Sequence, residues 1–302
     1  MLRLGTRGSP LALVQAGLVR DALIAAHGWT REMVEVVPIR TTGDRVQDRP
    51  LAEIGGKALW TKELDRALLA REIDLAVHSM KDVETIRPDD IVIAATLPRA
   101  DVRDRLVGAE SLEALPPGAR IGTSSPRRAA QVRAIRPDLC PVTFRGNVDT
   151  RLAKLAAGEV EATLLAAAGL ERLGRQDVGV PVSIAEMLPA PAQGAVGIEC
   201  RAADERTSAV LAAIDHLPTH ACVLAERALL AALVADCHSP VAALARIEGG
   251  ILTIDAALYA ADGSAHVAAQ ESGAPTDPAV ARVLAAKLLA LAPPPIRALF
   301  GG

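Results

Sequence analysis

Apolar residues in the first third of the chain fall alternately into short unbroken runs and longer stretches where they recur every third or fourth position. The runs at 2–6, 34–40, 74–78 and 91–97 predict strands, and the periodic stretches at 10–26 and roughly 57–71 predict helices. Ser9 followed by Pro10 suits the start of the first helix, as N-cap and first helical residue. A second unit begins near Arg99, after an acidic, Arg-containing segment, and repeats the rhythm. It has strands at 120–123, 142–145 and 162–167, with helices at 125–135 and 149–157. The Pro-rich stretch Leu188-Pro189-Ala190-Pro191-Ala192 reads as a crossing back to the first unit.

From about His216 the pattern changes. A helical stretch at 220–234 gives way to runs at 241–247, 251–260 and 266–270, joined by Gly-containing turns that read as hairpins, and a helix at 278–291 follows. The expected fold class is α/β: two lobes with mostly parallel mixed sheets, and a small C-terminal α+β domain with a three-stranded antiparallel sheet. The expected domains are 1–97 with 195–214, then 98–194, then 215–302. Open α/β sheets bind ligands beyond the carboxyl ends of their strands, so the cleft between the lobes is the expected site.

Half of the 302 residues are hydrophobic and only 2% are aromatic, so the cores should be aliphatic. A formal net charge of −3 argues against a nucleic-acid partner, which needs a basic face. No apolar run approaches the ~18 residues of a membrane span and no export signal opens the sequence, so a soluble, cytoplasmic protein is expected. Cys140, Cys200, Cys222 and Cys237 lie far apart, and reduced thiols are the default there. No coiled-coil pattern argues for more than a monomer.

Two stretches carry the strongest chemical signal: Gly122-Thr123-Ser124-Ser125-Pro126-Arg127-Arg128 and Arg145-Gly146-Asn147-Val148-Asp149-Thr150-Arg151. Each follows an apolar run and opens a helical pattern, so backbone N–H groups, hydroxyls and guanidinium forks converge as they do on anions. Arg7-Gly8-Ser9-Pro10 is a third such loop, and Gly55-Gly56-Lys57 resembles a fourth. A small polyanion is the expected partner. His78-Ser79-Met80-Lys81-Asp82 ends a predicted strand, which makes Asp82 a candidate for chemistry; capping the next turn or pairing with Lys81 is the equal alternative. Cys237 follows a helix C-terminus, where the dipole raises a thiol pKa and disfavours a turnover nucleophile. The spacing of His216, His220, Cys222, Cys237 and His238 fits no zinc pattern, and no metal is expected.

In order and at similar spacing, Thr6-Arg7-Gly8-Ser9-Pro10-Leu11-Ala12, Gly55-Gly56-Lys57, His78-Ser79-Met80-Lys81-Asp82, Gly122-Thr123-Ser124-Ser125, Arg145-Gly146-Asn147, Gln193-Gly194-Ala195 and Glu226-Arg227-Ala228 resemble the porphobilinogen deaminase family. The resemblance spans almost the whole chain. It implies an enzyme that joins four porphobilinogen molecules head to tail with loss of ammonia, and then hydrolyses off a linear tetrapyrrole. It also implies a dipyrromethane cofactor held by a thioether to Cys237, a permanent anchor that needs no thiolate at each turnover. Asp82 matches the family's catalytic carboxylate. The resemblance implies contacts to the cofactor from Lys57, Ser79, Lys81, Asp82, Thr123, Ser124, Ser125, Arg127, Arg128, Arg145 and Gly146. Arg7, Ser9, Trp60, Arg145, Arg151, Arg172 and Gln193 are the implied contacts to porphobilinogen and the growing polypyrrole chain.

One departure falls on the anchor itself. Where the family has Gly-Gly-Cys, this chain has Ala235-Asp236-Cys237, which restricts the backbone and sets a carboxylate beside an acidic group. The two-lobed plan also resembles periplasmic-type binding proteins, so a small-anion carrier or sensor without catalysis is the competing reading.

Overall fold

A computed structural model of the chain describes residues 1–40 and 61–300. They divide into two compact units, Met1–Ala100 with Gly194–His220, and Asp101–Gln193 with Ala221–Gly302.

The first unit is built on a five-stranded sheet of order β2-β1-β3-β10-β4. Its strands are β1 (Leu2–Arg7), β2 (Val34–Ile39), β3 (Leu75–Ser79), β4 (Ile91–Thr96) and β10 (Val196–Arg201). β1 pairs parallel with β2 and β3, while β10 runs antiparallel to both β3 and β4, so four of the five strands point one way. Helix α1 (Pro10–His27) covers one face through Ala16, Val19 and Leu23, packed on Leu4, Leu75, Val77 and Ile198. Helix α2 (Lys62–Leu69) covers the other through Leu64, Ala67 and Leu68, against Ala76 and Ile91. The 3.6-residue spacing of those apolar positions is what the sequence showed. α2 begins later than the spacing predicts, at Lys62; the residues before 61 lie outside the described part.

The second unit repeats the plan in a sheet of order β7-β6-β8-β5-β9. Its strands are β5 (Asp104–Val107), β6 (Arg120–Gly122), β7 (Cys140–Val142), β8 (Ala162–Ala166) and β9 (Val180–Pro181), with helices α3 (Pro126–Ile135), α4 (Val148–Ala156) and α5 (Ala167–Arg172). Here too one strand opposes the rest: β5 pairs antiparallel with β8 and β9. β7 starts two residues before the predicted position, so 143–145 belong to the loop after it. β5 and β10 had no distinct signal in the hydrophobic pattern. Each carries buried charge, Asp104 in β5 and Glu199 and Arg201 in β10.

The same unit holds the three-stranded antiparallel sheet β11 (Val241–Glu248), β12 (Ile251–Tyr259) and β13 (His266–Gly273). One face packs on Leu229 of the helix over Leu217–Ala232, on Leu233 just after it, and on Leu284 and Leu288 of the helix over Ala279–Leu291. The other face presents Ala242, Ala257 and Tyr259 to Ala130 of α3. Small side chains let the backbones come close. Gly263 in the β12–β13 turn shows how close: a Cβ there would lie 2.5 Å from the Arg133 side chain and 2.8 Å from the Ala130 carbonyl. Tyr259 Oη also donates to Gln131 Oε1 at 3.4 Å.

Candidate active site

In the first unit, Arg7, Ser9, Gln15, His78, Ser79 and Asp82 line one concavity at the carboxyl ends of β1 and β3. Ser9 caps α1, accepting from Ala12 N at 3.3 Å, and the hydroxyl proton remains available to a ligand. Gln15 Nε2 donates to Ser79 Oγ at 2.8 Å. Asp82 is half-buried and closes the single 3-10 turn Met80–Asp82 that continues β3. That turn is set by Met80, which is buried and donates its N–H to Ala195 O at 3.1 Å. Gly197 on β10 makes room, since a Cβ there would lie 2.0 Å from Met80 Sδ.

Beneath this concavity lies an ionic network that the sequence did not reveal. His78 Nε2 sits 3.1 Å from Oε2 of the fully buried Glu199. Arg87 donates to both Glu199 oxygens at 2.8 Å, and further to Asp65 and Glu84. Burial alone would raise the Glu199 carboxyl, yet His78 and Arg87 hold it down at about 2. The strand end that carries Asp82 is therefore pinned from below.

In the second unit the two predicted anion loops sit at the carboxyl ends of β6 and β7. Ser125 caps α3, and its oxygen accepts from Arg128 N at 3.4 Å. Asn147 caps α4 through Thr150 N at 2.9 Å. Ser124 Oγ donates to Phe144 O at 2.9 Å, so this hydroxyl ties two loops together rather than pointing its proton at a ligand. Thr123 is buried, with Oγ1 accepting from Ser125 N at 3.1 Å. Gly146 has φ 122°, a conformation that only glycine adopts readily, and its carbonyl accepts from Arg151 Nε at 3.0 Å. Burial pushes the Arg172 guanidinium down from its ordinary value.

Arg127 and Arg128 are not the open forks that the motif suggests. Both are buried and both donate through Nη2 to Asp104, at 2.6 and 2.7 Å. Their Nη1 atoms donate to the carbonyls of Leu188 and Leu164 at 2.7 and 2.9 Å. Gln193 Nε2 adds a third bond to the same carboxylate, at 2.8 Å. Full burial raises the Asp104 carboxyl, but the two guanidiniums hold it far below the usual carboxylate range. Both arginine Nε atoms are buried without an acceptor. Two cations around one carboxylate leave a net positive charge, and the orphaned N–H groups suit an anionic guest.

Cys237 stands exposed between the Leu217–Ala232 helix and β11. Asp236 folds the turn around it: Oδ1 accepts from His238 N at 2.8 Å, its N–H donates to Ser239 Oγ at 3.1 Å, and its carbonyl accepts from Ser239 N at 3.1 Å. The carboxylate expected to crowd an acidic group is engaged by the backbone. Lys57 and Trp60, with the Gly55-Gly56-Lys57 loop, lie outside the described residues.

Residues 2–209 match the family model of the porphobilinogen deaminase dipyrromethane cofactor binding domain, and residues 220–290 match the porphobilinogen deaminase C-terminal domain. The chain belongs to the porphobilinogen deaminase family. It is 60% identical over 305 aligned positions to the porphobilinogen deaminase of Sphingopyxis alaskensis, covering 99% of this chain and 96% of that protein. The porphobilinogen deaminase of Paracoccus denitrificans is 53% identical over 279 positions, 91% of this chain and 89% of its own length. Among solved structures, a periplasmic substrate-binding protein from Coxiella burnetii aligns with TM-score 0.42 and 14% identity, over 75% of this chain and 95% of that one. Within a porphobilinogen deaminase, a net-positive arginine–aspartate cluster and an exposed cysteine just before the C-terminal sheet are a set that fits a covalently held acidic dipyrromethane.

Proposed function

We propose that this protein is a hydroxymethylbilane synthase: it condenses four porphobilinogen molecules stepwise, with loss of ammonia, and releases the linear tetrapyrrole by hydrolysis. The observation that carries the reading is the family match across the chain, together with a half-buried aspartate at the end of β3 and an exposed thiol at position 237. The dipyrromethane, bound through sulfur to Cys237, supplies the pyrrole α-carbon on which the chain is built. The protein acts as a cytoplasmic monomer in three functional parts: the first lobe with the chemistry, the second with the cations, the C-terminal sheet with the anchor.

Each porphobilinogen carries an acetate and a propionate, so two negative charges arrive with every ring. Arg145, Arg151 and Arg172 in the second unit, with Arg7 and Lys81 in the first, neutralise them, while the buried Arg127–Arg128–Asp104 cluster adds one net positive charge. Arginine's planar fork also sets the ring register. Lys57 and Trp60 complete the proposed set, and Gln193, Thr123 and the capping serines Ser9 and Ser125 supply polar contacts. Loss of ammonia from porphobilinogen leaves an azafulvenium cation. The Asp82 carboxylate accepts from the pyrrole N–H and stabilises that charge. A unit pair about 4 Å apart contributes about 4 kcal/mol at an effective dielectric of about 20, roughly three orders of magnitude in rate.

Intact mass measurement tests the reading. The purified protein is expected to carry a covalent dipyrromethane that Cys237→Ser lacks, and incubation with porphobilinogen should yield hydroxymethylbilane. An anion carrier would weigh what its sequence predicts and form no product.

A further inference from the structure

Asp104 stands outside every motif that marks the site, yet three residues assigned to the polypyrrole converge on it. We infer that Asp104 is the positioning residue of the arginine site: it fixes the planes of Arg127 and Arg128 and halves their charge, and thereby sets how the acidic cofactor is held. The inference rests on the reading of the protein as a dipyrromethane-bearing synthase.

The geometry leaves Asp104 little freedom. It opens β5, opposite Ala166 at the carboxyl end of β8, so its backbone is locked into the sheet at the edge where the anion loops gather. One oxygen takes Arg127; the other takes Arg128 and Gln193. Each arginine is held a second time by a carbonyl, of Leu188 or Leu164. Two bonds per guanidinium define its plane, and with it the direction of the Nε–H that has no acceptor within the protein. Without Asp104 two buried cations would converge on one point with no counterion. With it the pair holds one net positive charge. An anionic group then meets a fixed, singly charged cluster rather than two mobile cations.

Two variants test this on the holoenzyme. Asp104→Asn removes the charge, and Asp104→Glu keeps it but moves it by one methylene. Readouts are the fraction of protein carrying the covalent adduct by intact mass, its increase on incubation with porphobilinogen, and the ionic-strength dependence of kcat/KM. In Asp104→Asn, adduct formation should fall about tenfold, the size of one lost charge-assisted hydrogen bond. Its kcat/KM should also depend more steeply on salt, because the site charge has risen. In Asp104→Glu, adduct formation should fall while the salt dependence returns to that of the wild type. A folded Asp104→Asn that loads the adduct normally with unchanged salt dependence overturns the inference. If that variant does not accumulate, normal loading in Asp104→Glu overturns it. A wild-type protein without any adduct would instead sink the reading on which the inference rests.

Discussion

At the scale of single residues, the proposed site separates groups that bind from groups that react. If Asp82 stabilises the azafulvenium cation as proposed, Asp82→Asn should retain the fold while kcat falls by about three orders of magnitude. Steady-state kinetics beside an unchanged circular dichroism spectrum checks this. Glu199 acts from below. Its carboxyl, held at about 2 against an ordinary 4.5, contributes stability that is complete above pH 4.5 and lost as pH falls toward 2. Urea midpoints measured between pH 6 and 3 should fall with acid in the wild type, and Glu199→Gln should be less stable at pH 6 with a shallower acid slope. Asp82 was legible in the sequence because it sits in a motif. Glu199 and Asp104 were not, because a charged residue looks like surface until its partners, far along the chain, are known.

At the scale of elements, turns decide what the strands and helices present. The departure from Gly-Gly-Cys reads in sequence as a stiffening of the anchor. The structure shows Asp236 building the turn through its side chain, a role that asparagine can fill and alanine cannot. Asp236→Asn should therefore load its adduct at the wild-type rate, and Asp236→Ala several-fold more slowly, with thermal stability alike in both; time-resolved intact mass checks it. The β12–β13 turn is the second case. Gly263 has φ 76° and lies against α3, so Gly263→Val should separate the C-terminal sheet from the arginine helix. Increased amide exchange in Tyr259 and Gln131 would report that loss. Hydrophobic spacing predicted six of the helices described, missing Ala167–Arg172, Glu205–Ala212 and Pro294–Arg297, and did not show the small-residue surface on which the C-terminal sheet meets α3.

At the scale of the whole molecule, two α/β units of matching topology each place one opposing strand, β10 or β5, beside a strand that ends in site residues. A chain that acts alone should scatter light as a 31.4 kDa particle with and without porphobilinogen. The amino-acid order by itself determined the α/β rhythm, the late change to an antiparallel sheet, the anion loops and the family. Those are local properties: apolar period, capping residues and short motifs, each written within a few neighbouring positions. Only the tertiary structure decided that Arg127 and Arg128 face Asp104 and that Glu199 supports His78. Burial and ion pairing join residues remote in sequence, and no window along the chain contains both partners.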